Sequence, residues 1–342
     1  MAAGQWPLAW AVAVFVIAGA ATILGGVRLA GLADTLADRT GWGEAVFGAV
    51  LFGLVTSLSG LVMTGASASA GNGELAYSNA VGGIAVQTLA IVAADLAYRR
   101  VNLEHAAASA QNLLFGCLLI VLLGTALLAS FSPRIAVLGV HPASVAMVLL
   151  YLGGLRLINN QERPMWRAVR TQETRPDEQE DGSRFEHRGN ASLWTEFVPI
   201  ALAVAAGGWA VARAAESVVA ATGLSAGLVG AVFMGLVNAL PETVTAIAAV
   251  RQGALTLAVA AIIGGNSLDA LNLVVGDIAL RGGSLFHAAT PDQLFLTTAT
   301  LLMTAILLGG LLVRQRKGWW RLGFDGVLLT IIYAATVVTL SF

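Results

Sequence analysis

The chain has 342 residues, of which 57% are hydrophobic and only 11% charged, with a formal net charge of -1. A mean hydropathy of +0.78 excludes a water-soluble globule of this size, because too little polar surface exists to cover one. The single cysteine, Cys117, excludes an intramolecular disulfide or a CxxC metal site, and nothing in the charge pattern calls for a nucleic-acid partner.

A bilayer crossing needs about 20 apolar residues. In chain order such runs fall near 8–30, 44–68, 75–98, 106–130 and 135–157, and again near 194–215, 225–250, 255–280, 292–313 and 322–341. The first run has no positive n-region and reads as a membrane helix rather than a cleaved signal. Between the two sets, 13 of the 39 Lys, Arg, Asp and Glu residues lie from Glu162 to Arg188, so the stretch 159–192 reads as a solvated linker. The expectation is an all-α membrane protein with ten transmembrane helices, divided as 1–158, a hydrophilic loop 159–192, and 193–342. With the N-terminus outside, one set of loops collects 16 of the 19 Lys and Arg residues. That places both termini outside and the central loop in the cytoplasm of a multi-pass cell-membrane protein.

Shifting the sequence by 182 residues aligns 40–99 with 222–281 without a gap, with 21 identities in 60 positions; chance in so biased a composition gives roughly a tenth. Gly48-Ala-Val-x-x-Gly-Leu-Val matches Gly230-Ala-Val-x-x-Gly-Leu-Val, and Gly82-Gly83 matches Gly264-Gly265. Five spans separate equivalent positions, an odd number. The two five-helix repeats are therefore expected to have inverted topology, an architecture suited to alternating access around a midplane site.

Glu242 and Asp269 sit deep in the seventh and eighth runs. A buried ionised carboxylate costs several kcal/mol unless paired, and no Lys or Arg lies at comparable depth, so a bound cation or a proton is the expected partner. Pro241 is expected to open its helix by removing an N–H and crowding Val237, making Asn238 to Glu242 one wall of a site. Thr56, Ser57, Ser59 and Gly60 form the matching segment of the first repeat. Asn266, Asp269 and Asn272 recur every three residues and are expected on one helix face. Gly264 and Gly265 should allow close backbone approach, while Asn79, Gln87 and Thr88 face them from the first copy. Oxygen donors of this kind suit Ca²⁺ or Na⁺. For any single Asn or Ser, interhelical hydrogen bonding explains burial equally well. The four histidines, in or beside loops, offer no buried relay. Asp95 and Asp277 read as helix-end groups with Arg99 and Arg281 within reach of an ion pair.

These features resemble the calcium/cation antiporter superfamily, which includes the sodium/calcium exchangers. The family motif Gly-Thr-Ser-x-Pro-Glu is similar to Val55-Thr56-Ser57-Leu58-Ser59-Gly60 and to Val237-Asn238-Ala239-Leu240-Pro241-Glu242. Its second motif, Gly-Asn-x-x-Gly-Ser-Asn-x-x-Asn/Asp, is similar to Ser78–Gln87 and Ala260–Asp269. The resemblance implies ten spans, cation antiport without a cofactor, Glu242 and Asp269 as principal metal ligands, and Thr56, Ser57, Asn266, Gln87 and Asn238 as supporting ones. It departs where the family has a first-repeat glutamate, because that position is Gly60, and Gly83 and Gly265 stand where serines are usual. Three functions follow as expectations: Ca²⁺ exchange for Na⁺ or H⁺, monovalent cation/proton exchange, or a transport-inactive scaffold of the same fold. The oligomeric state is not legible.

Overall fold

The computed structural model describes residues 6–40, 56–98, 102–107, 109–137, 139–159, 189–253, 255–316, 318 and 322–342. Within them the regular structure is helical, joined by turns and loops, one of which holds an isolated antiparallel bridge between Val137 and Val140. In order run α1 (Leu8–Thr40), α2 (Leu58–Ser69), α3 (Gly73–Ala97), the short α4 (Leu103–Ala106), α5 (Ala110–Ser130), α6 (Pro142–Asn159) and α7 (Asn190–Thr222). There follow α8 (Ala226–Leu228), a π-helical stretch Val229–Met234, α9 (Gly235–Gln252), α10 (Leu255–Asp269), α11 (Asn272–Ala279), α12 (Pro291–Val313) and α13 (Phe324–Leu340).

Eight helical segments among the described residues are long and apolar enough to cross a membrane. α13 is apolar but has only 17 residues. The second expected span is visible from Thr56 onward; its start, with Gly48, Gly53 and Val55, lies outside the described residues, as does the linker from 160 to 188.

Helix ends follow local chemistry. Gly223 and Gly253 close α7 and α9 at φ 71° and 90°, a left-handed conformation that favours glycine. Pro291 opens α12, where the Thr290 N–H donates to Gln293 Oε1 at 2.9 Å.

Pro241 does not open its helix, contrary to the sequence expectation: α9 runs through it to Gln252. The ring fits against Gly26 of α1, where a Cβ would stand 2.9 Å from the proline Cγ. Packing thus holds the helix despite the missing N–H. The interruptions lie elsewhere. One is the π-helical stretch before α9, the kind of irregularity that clusters at functional sites. The other separates Asp269 from Asn272, where the turn tightens through Leu271 N–H to Leu268 O at 2.8 Å and Val274 N–H to Leu271 O at 3.0 Å.

The core centres on α3. Within its most apolar stretch 78% of the residues are buried in protein, against 17% for α1, whose Trp10, Val16, Ile17 and Leu24 face outward. α1 lies along α7, while α3 is enclosed by α2, the π-helix and α9, α10, α12 and α13. A helix apolar on every side belongs inside, yet α3 also buries Asn79, Gln87 and Thr88 completely. α3 meets the π-helix and α9 almost backbone to backbone. A Cβ on Gly82 would fall on the Ala231 backbone, one on Gly235 would stand 2.9 Å from the Gly82 carbonyl carbon, and one on Gly230 would stand 2.7 Å from Ser78 Cβ.

Candidate functional site

The start of α2, the middle of α3, α9 and the α10–α11 break converge inside this core. Glu242 projects from α9 and Asp269 ends α10; they are 5% and 2% exposed and lie within electrostatic reach of each other. The Thr56 hydroxyl lies beside Glu242 and the Ser57 hydroxyl beside Asp269, so the first repeat presents hydroxyls to the carboxylates of the second. Asn272 donates from Nδ2 to Asp269 Oδ1 at 3.4 Å.

Most of the remaining polar atoms here have no partner. Apart from the Thr56 and Ser57 hydroxyls beside the two carboxylates, the oxygens of Glu242, both amide atoms of Asn238 and of Gln87, the Ser59 hydroxyl, and the Oδ1 atoms of Asn79, Asn266 and Asn272 are buried without a hydrogen-bond partner among the described residues. Isolated cases of this kind are rare because each costs free energy. A set of them on neighbouring helices, rich in oxygen and including a carboxylate within electrostatic reach of a second, has the chemistry of a cation site. The ion pairs seen among the described residues, Arg28–Glu196 and Arg213–Glu216, lie elsewhere. No third carboxylate, imidazole or thiol joins Glu242 and Asp269 within the described residues.

The structure brings together Thr56, Ser57, Gly60, Gly83, Asn238, Glu242 and Asp269, places Gln87 against Gly265, and revises several details. Asn266, Asp269 and Asn272 do not share one continuous helix face, because the chain breaks between the last two. Asn266 turns its Nδ2 to the Thr88 hydroxyl at 2.9 Å, an interhelical hydrogen bond that leaves Oδ1 available. A Cβ on Gly264 would meet only the Phe115 ring, at 3.9 Å, among the described residues; close backbone approach occurs at Gly82 instead. Asn79 donates to Thr64 Oγ1 at 2.8 Å and to the Gly60 carbonyl at 3.3 Å, bracing α2 against α3. Sequence reasoning missed Tyr151 of α6, a buried phenol within electrostatic reach of Asp269; a lone tyrosine near a span centre gives no signal of its own.

Asp95 and Asp277 are helix-end groups, as expected, and each accepts the N–H of the residue eight further on: Leu103 to Asp95 at 2.7 Å and Leu285 to Asp277 at 2.9 Å. Asp277 also accepts from His141 N at 2.8 Å and Ser144 Oγ at 2.7 Å, so it does not use Arg281; Arg99 lies outside the described residues. Leu103 and Leu285, like His105 and His287, keep the 182-residue offset, so the repeat extends past the block that alignment singled out. His105 and His141, beside loops as expected, are buried, and His105 Nδ1 contacts the Arg314 carbonyl at 2.8 Å. His187 lies outside the described residues.

On the Asp95 side, Glu104 of α4 is buried, and its carboxyl lies beside that of Asp325. Burial first, then the charges of Asp325 and Asp95, push the Glu104 carboxyl well above its usual value of 4.5. A carboxyl raised on folding holds its proton in the native state, so its contribution is intact below the usual value and is lost as pH rises through the shifted one. Glu104→Gln, which keeps a donor for Asp325, should therefore melt close to wild type at pH 4.5 and progressively above it toward pH of about 8. Thermal melts in detergent across that range check this; parallel curves would refute it.

The model of the sodium/calcium exchanger protein family matches residues 10–157 and 192–342. No curated protein matches the chain in sequence. In fold it is similar to the H⁺/Ca²⁺ exchanger CAX, with a TM-score of 0.71 at 14% identity over 97% of this chain and 84% of that one. It is similar to native YfkE, with a TM-score of 0.69 at 14% identity over 98% and 93%. It also resembles the sodium-calcium exchanger NCX_Mj, with a TM-score of 0.55 at 15% identity over 97% and 99%. With both halves of the chain matched and its buried oxygen site assembled where those halves meet, the protein belongs to the sodium/calcium exchanger family of membrane transporters.

Proposed function

We propose that the chain is a secondary active cation antiporter that exchanges Ca²⁺ for Na⁺ or H⁺ at the Glu242–Asp269 site by alternating access. The observation that carries this reading is the buried set of partnerless oxygens around two carboxylates. Formal charge of minus two suits one divalent ion, and hydroxyl and amide oxygens complete a hard-cation donor set. The proteins it resembles in fold, an H⁺/Ca²⁺ exchanger and a sodium-calcium exchanger, support the same choice of ions. In this reading α2 with its upstream residues and α13 are the spans that complete two inverted five-helix repeats. Both termini are outside, and the 159–192 linker is cytoplasmic.

Exchange follows from electrostatics. An empty site would leave two buried charges uncompensated during the switch, so loaded forms should interconvert faster than the empty one. Purified protein in liposomes should take up Ca²⁺ when an outward Na⁺ or H⁺ gradient is imposed, and the gradient that drives uptake identifies the counter-ion. Proton-coupled Na⁺ movement without Ca²⁺ uptake would establish the monovalent reading, which the neutral Asn238–Gly60 half of the site also suits. No flux and no thermal shift with Ca²⁺, Na⁺ or pH would leave a scaffold of the exchanger fold.

A further inference from the structure

The two repeats contribute to the site in matched pairs, and one pair has exchanged its side-chain sizes. Thr56 and Asn238 are equivalent under the 182-residue shift, and so are Gly60 and Glu242. In one half the small Thr56 stands beside the large Glu242. In the other the large member is Asn238, and it lies against Gly60. A Cβ on Gly60 would fall on the Asn238 amide, 2.7 Å from its Cγ, and a Cβ on Gly83 would also meet that amide, 3.4 Å from the same carbon.

The Asn238 amide is therefore held in a slot that exists because two glycines line it. It is 1% exposed, and neither its oxygen nor its nitrogen has a partner. A mere space-filler in such a slot would be apolar, since an unsatisfied buried amide is costly. The neutral half continues at Gln87, equivalent to Asp269, whose amide nitrogen lies 3.1 Å from where a Gly265 Cβ would stand and whose polar atoms are also partnerless.

We propose that Asn238 is the specificity-determining residue of the site: its amide occupies the volume that a first-repeat acidic side chain at position 60 would need, and so restricts the site to the two negative charges of the second repeat. It offers a neutral oxygen where symmetry would place a third carboxylate, which limits the bound cation charge to two. This rests on the antiporter reading above. It also means that Gly60→Glu alone does not restore a carboxylate, because two side chains would claim one volume.

The test compares wild type, Gly60→Glu, Asn238→Thr and the double variant by thermal melting in chelator and by calorimetric Ca²⁺ titration. Gly60→Glu alone should melt below wild type and gain no affinity. Adding Asn238→Thr, which copies Thr56, should recover the melting temperature and bind Ca²⁺ about tenfold more tightly than wild type or better, since affinity rises with ligand charge. Gly60→Glu melting like wild type, or no recovery in the double variant, would overturn the placement of Asn238. Recovery without tighter binding would overturn its role in setting charge. If wild type itself shows no Ca²⁺ heat or thermal shift, the Ca²⁺ antiport reading fails, while the melting comparison still decides whether Asn238 holds the space beside Gly60.

Discussion

Glu242→Gln is expected to weaken Ca²⁺ binding by roughly two to three orders of magnitude and to reduce gradient-driven uptake to the level of empty vesicles. The substitution keeps shape and removes one of two buried charges. Breaking one side of a buried charge interaction costs about 3–5 kcal/mol, and about 1.4 kcal/mol is a factor of ten. A second readout separates loss of a ligand from loss of fold. With Ca²⁺ chelated, the variant should melt above wild type, because a buried carboxylate with no cationic partner among the described residues has become a neutral amide. Glu196→Gln is the matching control. That carboxylate pairs with Arg28 at 2.6 Å on the periphery, where such pairs contribute about 0–1 kcal/mol, and uptake should persist. Wild-type uptake by Glu242→Gln would sink the site assignment.

Gly82→Ala should prevent α3 from seating against the π-helix and α9. The added methyl would lie 2.7 Å from the Ala231 carbonyl carbon and closer still to its Cα. A flexible side chain could rotate away, but a helix backbone cannot. Overpacking a core ordinarily costs about 1–3 kcal/mol, and a clash between backbones belongs at or beyond the upper end. Because this crossing also positions Asn238 and Glu242, Gly82→Ala should lose both monodisperse protein in detergent and Ca²⁺ uptake. Gly124→Ala is the contrast: nothing lies within 4 Å of its Cβ position, and replacing glycine inside α5 should raise stability by about 0.5–1 kcal/mol. Equal melting temperatures for Gly82→Ala and wild type would show that the helices separate without penalty.

The burial of the two candidate carboxylates was legible because depth in an apolar run is a one-dimensional property. Glu242 and Asp269 stand out from the spacing of charged residues alone, and the 182-residue shift pairs each with its neutral equivalent. The extension of the repeat to Leu103/Leu285 and His105/His287 was harder to see, since scattered identities among Leu and Ala lack contrast. Only the shared hydrogen bond to Asp95 and Asp277 makes them a repeated device. Pro241 misled in the opposite direction. Its missing N–H is a local fact, but whether a helix opens there depends on what receives the ring, and Gly26 lies more than two hundred residues away in sequence.

By itself, then, the sequence determined the membrane setting, the helical class, the internal sequence repeat and the two acidic groups that lie deep in apolar runs, because hydropathy and residue depth follow from order along the chain. The tertiary structure decided where the helices are interrupted, which glycines receive another backbone, and that Asn238 lies where Gly60 has no side chain. Those are outcomes of helices crossing at distances of a single methyl group. Residues far apart in the chain meet there, and no local pattern records which of them fills the space.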